Sequence, residues 1–321
     1  MEDDPPGSME DEKKEALKKL VYGAIALGLA LAYWVFRDGA RVGTGAFFVL
    51  GLALLWAGSS FITWWRLRNF KQVALSSELA LAEAHLRQVA RVQRHERLLA
   101  LRRPYFTYAL IACISAPSAA QLLASGDSIE AAGLVKNLVR DGEWWRMLTG
   151  TYLHGGPLHF WMNMSALRAF GAVIEAYSPR TRLPLVYLAS ALAGSLASFL
   201  LLPNASSVGA SGGLLGLVGY LMLSAWKRPN EVPPWLKRGA LLTLGLTAYL
   251  GAFGAGFIDN AAHAGGALMG VLLALLAVDR ESHTQGPLKR AVLEAMGWAS
   301  VVVLLVGAVL SVLLVLGFFR P

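Results

Sequence analysis

DNAAHAGGALMGVLLALLAVD, residues 259–279, is an almost uninterrupted apolar run with polar groups gathered at its first end. A bilayer core needs about 20 apolar residues per helical span, so this run reads as a transmembrane helix carrying Asp259, Asn260 and His263 near one membrane surface. Polar side chains inside a span are costly and mark functional candidates. His263, Gly266 and Gly270 are spaced i, i+3, i+7, which places the imidazole on a glycine stripe along one helix face.

The rest of the chain has the same character. Of its 321 residues, 55% are hydrophobic and 16% charged, and apolar runs recur at 20–36, 43–65, 105–123, 157–176, 183–202, 209–226, 239–256 and 294–319. The expectation is an all-α polytopic membrane protein. The first run has no cleavage-site pattern after it and reads as a retained anchor. Lys and Arg fix the orientation, because positive residues stay on the cytoplasmic side. With the N-terminus inside, most of the 29 basic residues fall in inner segments; Lys136, Arg140 and Arg146 fall outside and Arg168 within a span. The net charge of +8 is thus a topology signal that also suits an anionic lipid surface, and it gives no reason to invoke nucleic acid. Cys113 is the only cysteine, so neither an intrachain disulfide nor a cysteine zinc site can form. No metal and no cofactor are called for.

Five segments are expected. Residues 1–19 are a disordered cytoplasmic tail, 20–66 a transmembrane hairpin, and 67–103 a long basic helix free of Gly and Pro. Residues 104–280 are a central unit of six spans, and 281–321 a cytoplasmic linker with one further span. On helix 67–103, Leu75, Leu79, Ala82, Leu86 and Val89 make a short heptad-like stripe, suited either to the inner leaflet or to dimerisation. Span 105–123 is the weakest of the set, because it holds Pro117. The loop at 124–156 lies outside and is long for a compact membrane protein; Leu134, Val135, Leu138, Val139, Trp144, Trp145 and Met147 suit it to the membrane interface.

Three spans carry polar clusters, and the charge-derived topology brings their outer ends to one depth. His159 and Asn163, i and i+4, share a face of span 157–176, with His154 just ahead of it. Span 209–226 opens Gly209-Ala210-Ser211-Gly212, and span 259–279 carries His263. Ser211 is expected about two residues, or roughly 3 Å, inside its span and His263 about four residues, or roughly 6 Å. Gly212 and Gly216 match the glycines beside His263, so the two helices can approach until hydroxyl and imidazole meet. A histidine within hydrogen-bond reach activates a serine, and the Ser211 N–H, Asn163 and His159 are candidate donors to an oxyanion. Each motif alone has a plainer reading: small residues serve helix packing, and a lone histidine can bridge spans, bind haem or relay protons. A channel would need polar residues across the whole bilayer, and the inner halves of 209–226 and 259–279 are Leu, Val, Ala, Gly and Met.

Together these residues resemble the rhomboid family: Glu143-Trp144-Trp145-Arg146 in the outer loop, His154 with His159 and Asn163, Gly171 with Glu175, Gly209-Ala210-Ser211-Gly212, and His263 with Gly266 and Gly270. The resemblance implies a six-helix protease core with two extra N-terminal spans and one C-terminal span. It implies a serine endopeptidase that cleaves in or near transmembrane segments of membrane proteins through a Ser211–His263 dyad. His159 and Asn163 would stabilise the oxyanion, and Glu143 with Arg146 would brace the outer loop. Asp259 is a helix cap or an orienter of His263, and Arg168 with Glu175 a structural pair or a snorkelling arginine. Leu215 stands where many members have an aromatic residue against the base. The other reading is a non-catalytic relative that holds membrane clients. Its partners would be transmembrane proteins and the bilayer; the oligomeric state is open. Compact loops suggest a bacterial inner membrane, with the active site near the outer face.

Overall fold

In a computed structural model of the chain, the residues described are 17–18, 21–22, 78–124, 126–229, 234–253, 258–278 and 286–319. The expected tail and N-terminal hairpin lie almost wholly outside them. The chain divides into two compact units, residues 1–89 with 245–258 and residues 90–244 with 259–321. All the site residues lie in the second.

The described residues form helices joined by short connections. They are α1 (Glu78–Leu101), α2 (Tyr105–Leu123), three short helices α3 (Ser128–Ala132), α4 (Lys136–Arg140) and α5 (Arg146–Thr149), then α6 (Pro157–Tyr177), α7 (Arg182–Leu201), α8 (Ser211–Lys227), α9 (Pro234–Phe253), α10 (Asn260–Ala277) and α11 (Pro287–Val315). Four of them, α2, α7, α10 and α11, are long and apolar enough to cross a membrane. Their outward faces are apolar as a lipid-facing surface requires. On α10 Leu268, Leu272, Leu275 and Leu276 are exposed along one face, and on α11 Val302, Leu305, Val306 and Val309. The protein is an integral membrane protein.

Small residues set the architecture. A Cβ built on Gly266 would fall on the carbonyl of Gly212, and one on Gly270 on the carbonyl of Gly216, so α8 and α10 touch backbone to backbone along the expected stripe. Gly194 of α7 joins the junction, its Cβ position 2.7 Å from Ala262 O. Gly171 of α6 leaves room for the Thr107 side chain, whose Oγ1 lies 2.7 Å from the glycine's Cβ position. α11 docks on the core through Gly297 against Thr181 and Gly307 against Tyr152 and Leu148, and Tyr152 Oη donates to Leu304 O at 2.7 Å.

The run 105–123 is α2, with the same bounds, and it passes through the buried Pro117 without a break. The outer loop folds into α3–α5, with Leu134, Val139 and Thr149 buried against the protein. Trp144 alone among its large apolar residues stands well exposed. Other expectations need correction. Glu175 does not pair with Arg168, which faces outward. Its buried carboxylate instead caps α2, accepting from Thr107 N and Oγ1 at 2.7 Å each and Phe106 N at 3.2 Å, which satisfies N–H groups with no partner in their own helix. On α1, Leu86 and Val89 of the heptad-like stripe are exposed, while His95 on another face is buried and bonded to Tyr177 Oη at 2.8 Å.

Candidate active site

α8 starts one residue after Ala210, so Ser211 is its first residue and not two residues inside it. Its backbone N–H therefore has no intrahelical acceptor and sits at the positive end of the helix dipole. The chain reaches Ser211 through Gly209, whose φ of 135° is open essentially to glycine alone. The glycine also makes room: a Cβ there would come 2.8 Å from His159 Cε1 and 3.8 Å from Ser211 Oγ. Gly209 N donates to Gly150 O at 3.0 Å, and Ser207 and Leu134 exchange backbone hydrogen bonds of 3.0 and 3.2 Å. The lead into Ser211 is thus zipped to the outer loop.

α10 begins after Asp259, whose Oδ1 accepts from Ala262 N at 2.8 Å. This is a cap, the first of the two roles read for Asp259. One turn on, His263 Nε2 lies 2.7 Å from Ser211 Oγ. If the hydroxyl donates, the ring proton sits on Nδ1, which is buried and has no hydrogen-bond partner among the described residues. Asp259 therefore does not orient the ring by a hydrogen bond. Leu215, at the position noted for its lack of an aromatic ring, is buried in the apolar core. A hydroxyl held on an imidazole nitrogen can give up its proton as the oxygen attacks an electrophile.

His159 and Asn163 lie on α6, and His159 borders the lead into Ser211, its Cε1 2.8 Å from the Cβ position of Gly209. Asn163 is buried and spends one amide hydrogen on His159 O at 3.0 Å, leaving the other for a ligand. His154, in the turn ahead of α6, is held from α2: its N–H donates to Gln121 Oε1 at 2.9 Å, its carbonyl accepts from Gln121 Nε2 at 3.2 Å, and its Nδ1 lies 3.0 Å from Ser118 Oγ. Ser118 gives its own proton to Tyr152 O at 3.1 Å, so Nδ1 of His154 is the donor. The ring stacks edge-on to His159 at 5.2 Å and steadies it. Burial, reinforced by the neighbouring His159, pushes the pKa of His154 down to about 3.

Arg146 ties parts of the outer loop together. Arg146 is buried, its Nε donates to Glu143 Oε2 at 2.6 Å, and its Nη1 donates to the carbonyls of Glu130 and Gly133 at 2.8 and 3.1 Å. Its guanidinium lies over Trp145 at 4.5 Å. Sequence reasoning missed Ser118 and Gln121. Their signal was present, since polar side chains near the end of an apolar span ask for partners, but nothing in one sequence says which partner.

A family model described as "Rhomboid domain" matches residues 141–280. The chain is 37% identical over 159 residues to "RHOMBOID-like protein 6, mitochondrial" of Arabidopsis thaliana, covering 47% of this chain and 50% of that protein. It is 34% identical over 149 residues to "Rhomboid protease GluP" of Bacillus subtilis, covering 46% and 29%. To "Putative rhomboid protease YdcA" of Bacillus subtilis it is 32% identical over 145 residues, 44% of this chain and 72% of that protein. The chain thus spans half or less of the length of the first two relatives. Similar proteins come from a plant, one of them named mitochondrial, as well as from a bacterium. The narrower expectation of a bacterial inner membrane is not supported.

Proposed function

The chain belongs to the rhomboid family, and on that premise we propose that it is an intramembrane serine endopeptidase cleaving peptide bonds in or near transmembrane segments of other membrane proteins. The observation that carries the reading is the 2.7 Å contact between Ser211 Oγ and His263 Nε2 at the head of α8. In this reading Ser211 Oγ attacks the scissile carbonyl while His263 Nε2 takes its proton. The tetrahedral intermediate collapses to an acyl-serine as His263 returns the proton to the leaving amine. Water then attacks the ester, again with His263 as base, and frees the serine. The oxyanion would be met by the Ser211 N–H, the spare Asn163 amide hydrogen and His159.

Other assignments belong to the same proposal. Helices α2 and α6–α10 form the six-helix core, residues 104–280. α11 adds a further span to it, and the N-terminus faces the cytoplasm with the site near the outer surface; the two spans expected at 20–66 lie almost wholly outside the described residues. Partners are transmembrane protein substrates and the bilayer.

Purified protein treated with a fluorophosphonate probe tests this directly. The expected result is a single adduct on Ser211 that is lost in Ser211→Ala and in His263→Ala. Absence of any Ser211-dependent adduct would favour a non-catalytic client-binding protein.

A further inference from the structure

Lys136 of α4 is 2% exposed, although an ammonium is strongly hydrated and its burial is costly unless it is paired. It donates to the carbonyl of Ala205 and to Ser207 Oγ, the latter at 2.7 Å. Ser207 Oγ in turn donates to Asp259 Oδ2, as does Ser198 Oγ of α7. The two hydroxyls are 3.1 Å apart, with both protons spent on the carboxylate. Asp259 closes the chain by capping α10 through its other oxygen. The buried Lys136 and the half-buried Asp259 are therefore opposite charges joined through one hydroxyl. Burial pulls the pKa of Lys136 down, and the charge of Asp259 offsets part of that.

The ends of this relay lead to the two reacting side chains. Ser207 stands four residues ahead of Ser211 on the segment zipped to Leu134. Asp259 stands four residues ahead of His263, and its carbonyl accepts from His263 N at 3.0 Å. A buried ion pair contributes little net stability, and apolar replacements are often as stable. Its value here is geometric, because it adds a side-chain link from the outer loop and the lead into α8, already zipped through Leu134 and Ser207, to the first turn of α10.

We propose that Lys136 and Asp259 are positioning residues for the Ser211–His263 pair: the Lys136–Ser207–Asp259 relay sets the spacing between the lead into α8 and the first turn of α10, and ties that spacing to the outer loop. This rests on the protease reading above. Neither residue touches the reacting atoms.

The test uses the full chain in detergent and in proteoliposomes, with Lys136→Met, Asp259→Asn, Ser207→Ala and the double variant Lys136→Met/Asp259→Asn. Asparagine caps a helix about as well as aspartate, so Asp259→Asn removes the charge and keeps the cap. Two quantities are read on monodisperse protein: the rate at which a fluorophosphonate labels Ser211, and kcat and KM for a single-span substrate. Each single variant is expected to lower labelling and kcat by about 10- to 100-fold, as a misplacement near 1 Å does, with KM within about two-fold. The double variant is expected to be no slower than the worse single one, since both ends act through one relay. Effects that multiply, or a fall in thermal stability with labelling and kcat at wild-type values, would overturn the proposal. Should the charge variants not fold, Ser207→Ala, which removes one hydroxyl, carries the same test, and wild-type rates there overturn it. A wild-type chain without label on Ser211 would sink the protease reading itself; a labelled wild type with unaffected variants sinks only the relay.

Discussion

Replacing Gly266 by alanine adds one methyl group, and the structure says where it goes. The new Cβ would fall on the Gly212 carbonyl, 2.7 Å from its carbon and 3.1 Å from Gly212 Cα, where ordinary contact begins at 3.4 Å. All three obstacles are backbone, so no side chain can swing aside and α8 and α10 must part by about 1 Å. His263 lies one turn ahead of Gly266, and its 2.7 Å contact with Ser211 would stretch past hydrogen-bond length. A displacement of that size costs about 100-fold in rate. The cost in stability is smaller: overpacking takes about 1–3 kcal/mol, and the gain in helix propensity returns about 1 kcal/mol. The assay is the initial rate of cleavage of a single-span substrate in proteoliposomes, beside a thermal unfolding curve. Gly239→Ala on α9 is the control, because no described atom lies within 4 Å of its Cβ position; it should leave the rate unchanged and the fold as stable or slightly more so. Cleavage by Gly266→Ala within about two-fold of wild type would refute the argument that backbone contact between α8 and α10 holds the reacting pair together.

Glu175→Gln places an amide against the two N–H groups that its carboxylate now accepts and should cost about 1–3 kcal/mol, seen as a lower melting temperature with fluorophosphonate labelling of the folded protein unchanged. Gly209→Ala combines a disallowed φ with a clash on His159; with about 1–3 kcal/mol of strain, labelling of Ser211 should fall at least about ten-fold, and unchanged labelling would show that the lead into α8 can re-form without glycine. Acid should destabilise the chain through His154: its folded pKa near 3 lies below the unfolded value of about 6.5, so its stabilising effect is complete above about pH 6.5 and is lost as the pH falls toward 3. The slope is up to about 1.4 kcal/mol per pH unit, and His95, whose pKa burial also lowers, adds in the same direction. Melting temperatures between pH 7 and pH 5 should fall less steeply in His154→Gln, and equal slopes would contradict this assignment.

The sequence carried the helices because their period and apolar length are local properties. The run 105–123 has the same bounds as α2, and 259–279 shrinks only to Asn260–Ala277 once Asp259 caps it. The glycine stripe was legible for the same reason, since small residues at i, i+3 and i+7 have no better use in a span than close approach. That Ser211 and His263 meet followed from two stripes and one topology. Partners that depend on tertiary placement were not legible. Glu175 looked toward Arg168 on its own helix, yet it caps α2, 68 residues earlier at Thr107. Lys136 read as one more outer-loop charge, because nothing local marks a lysine that will be buried against Ser207 and Asp259. That Leu134 and Val139 of the outer loop are covered by the protein itself was not legible either. Hydrophobicity alone does not distinguish burial in lipid from burial in protein.

In the proposed reading Ser211, activated by His263, cuts peptide bonds of membrane-embedded substrates. The measurement that bears on it most directly is mass spectrometry of the products when wild-type, Ser211→Ala and His263→Ala proteins are each reconstituted with one single-span substrate. Two fragments are expected from the wild type, with the cut in or beside the substrate's span, and intact substrate from both variants. The same fragments appearing undiminished with Ser211→Ala would contradict it.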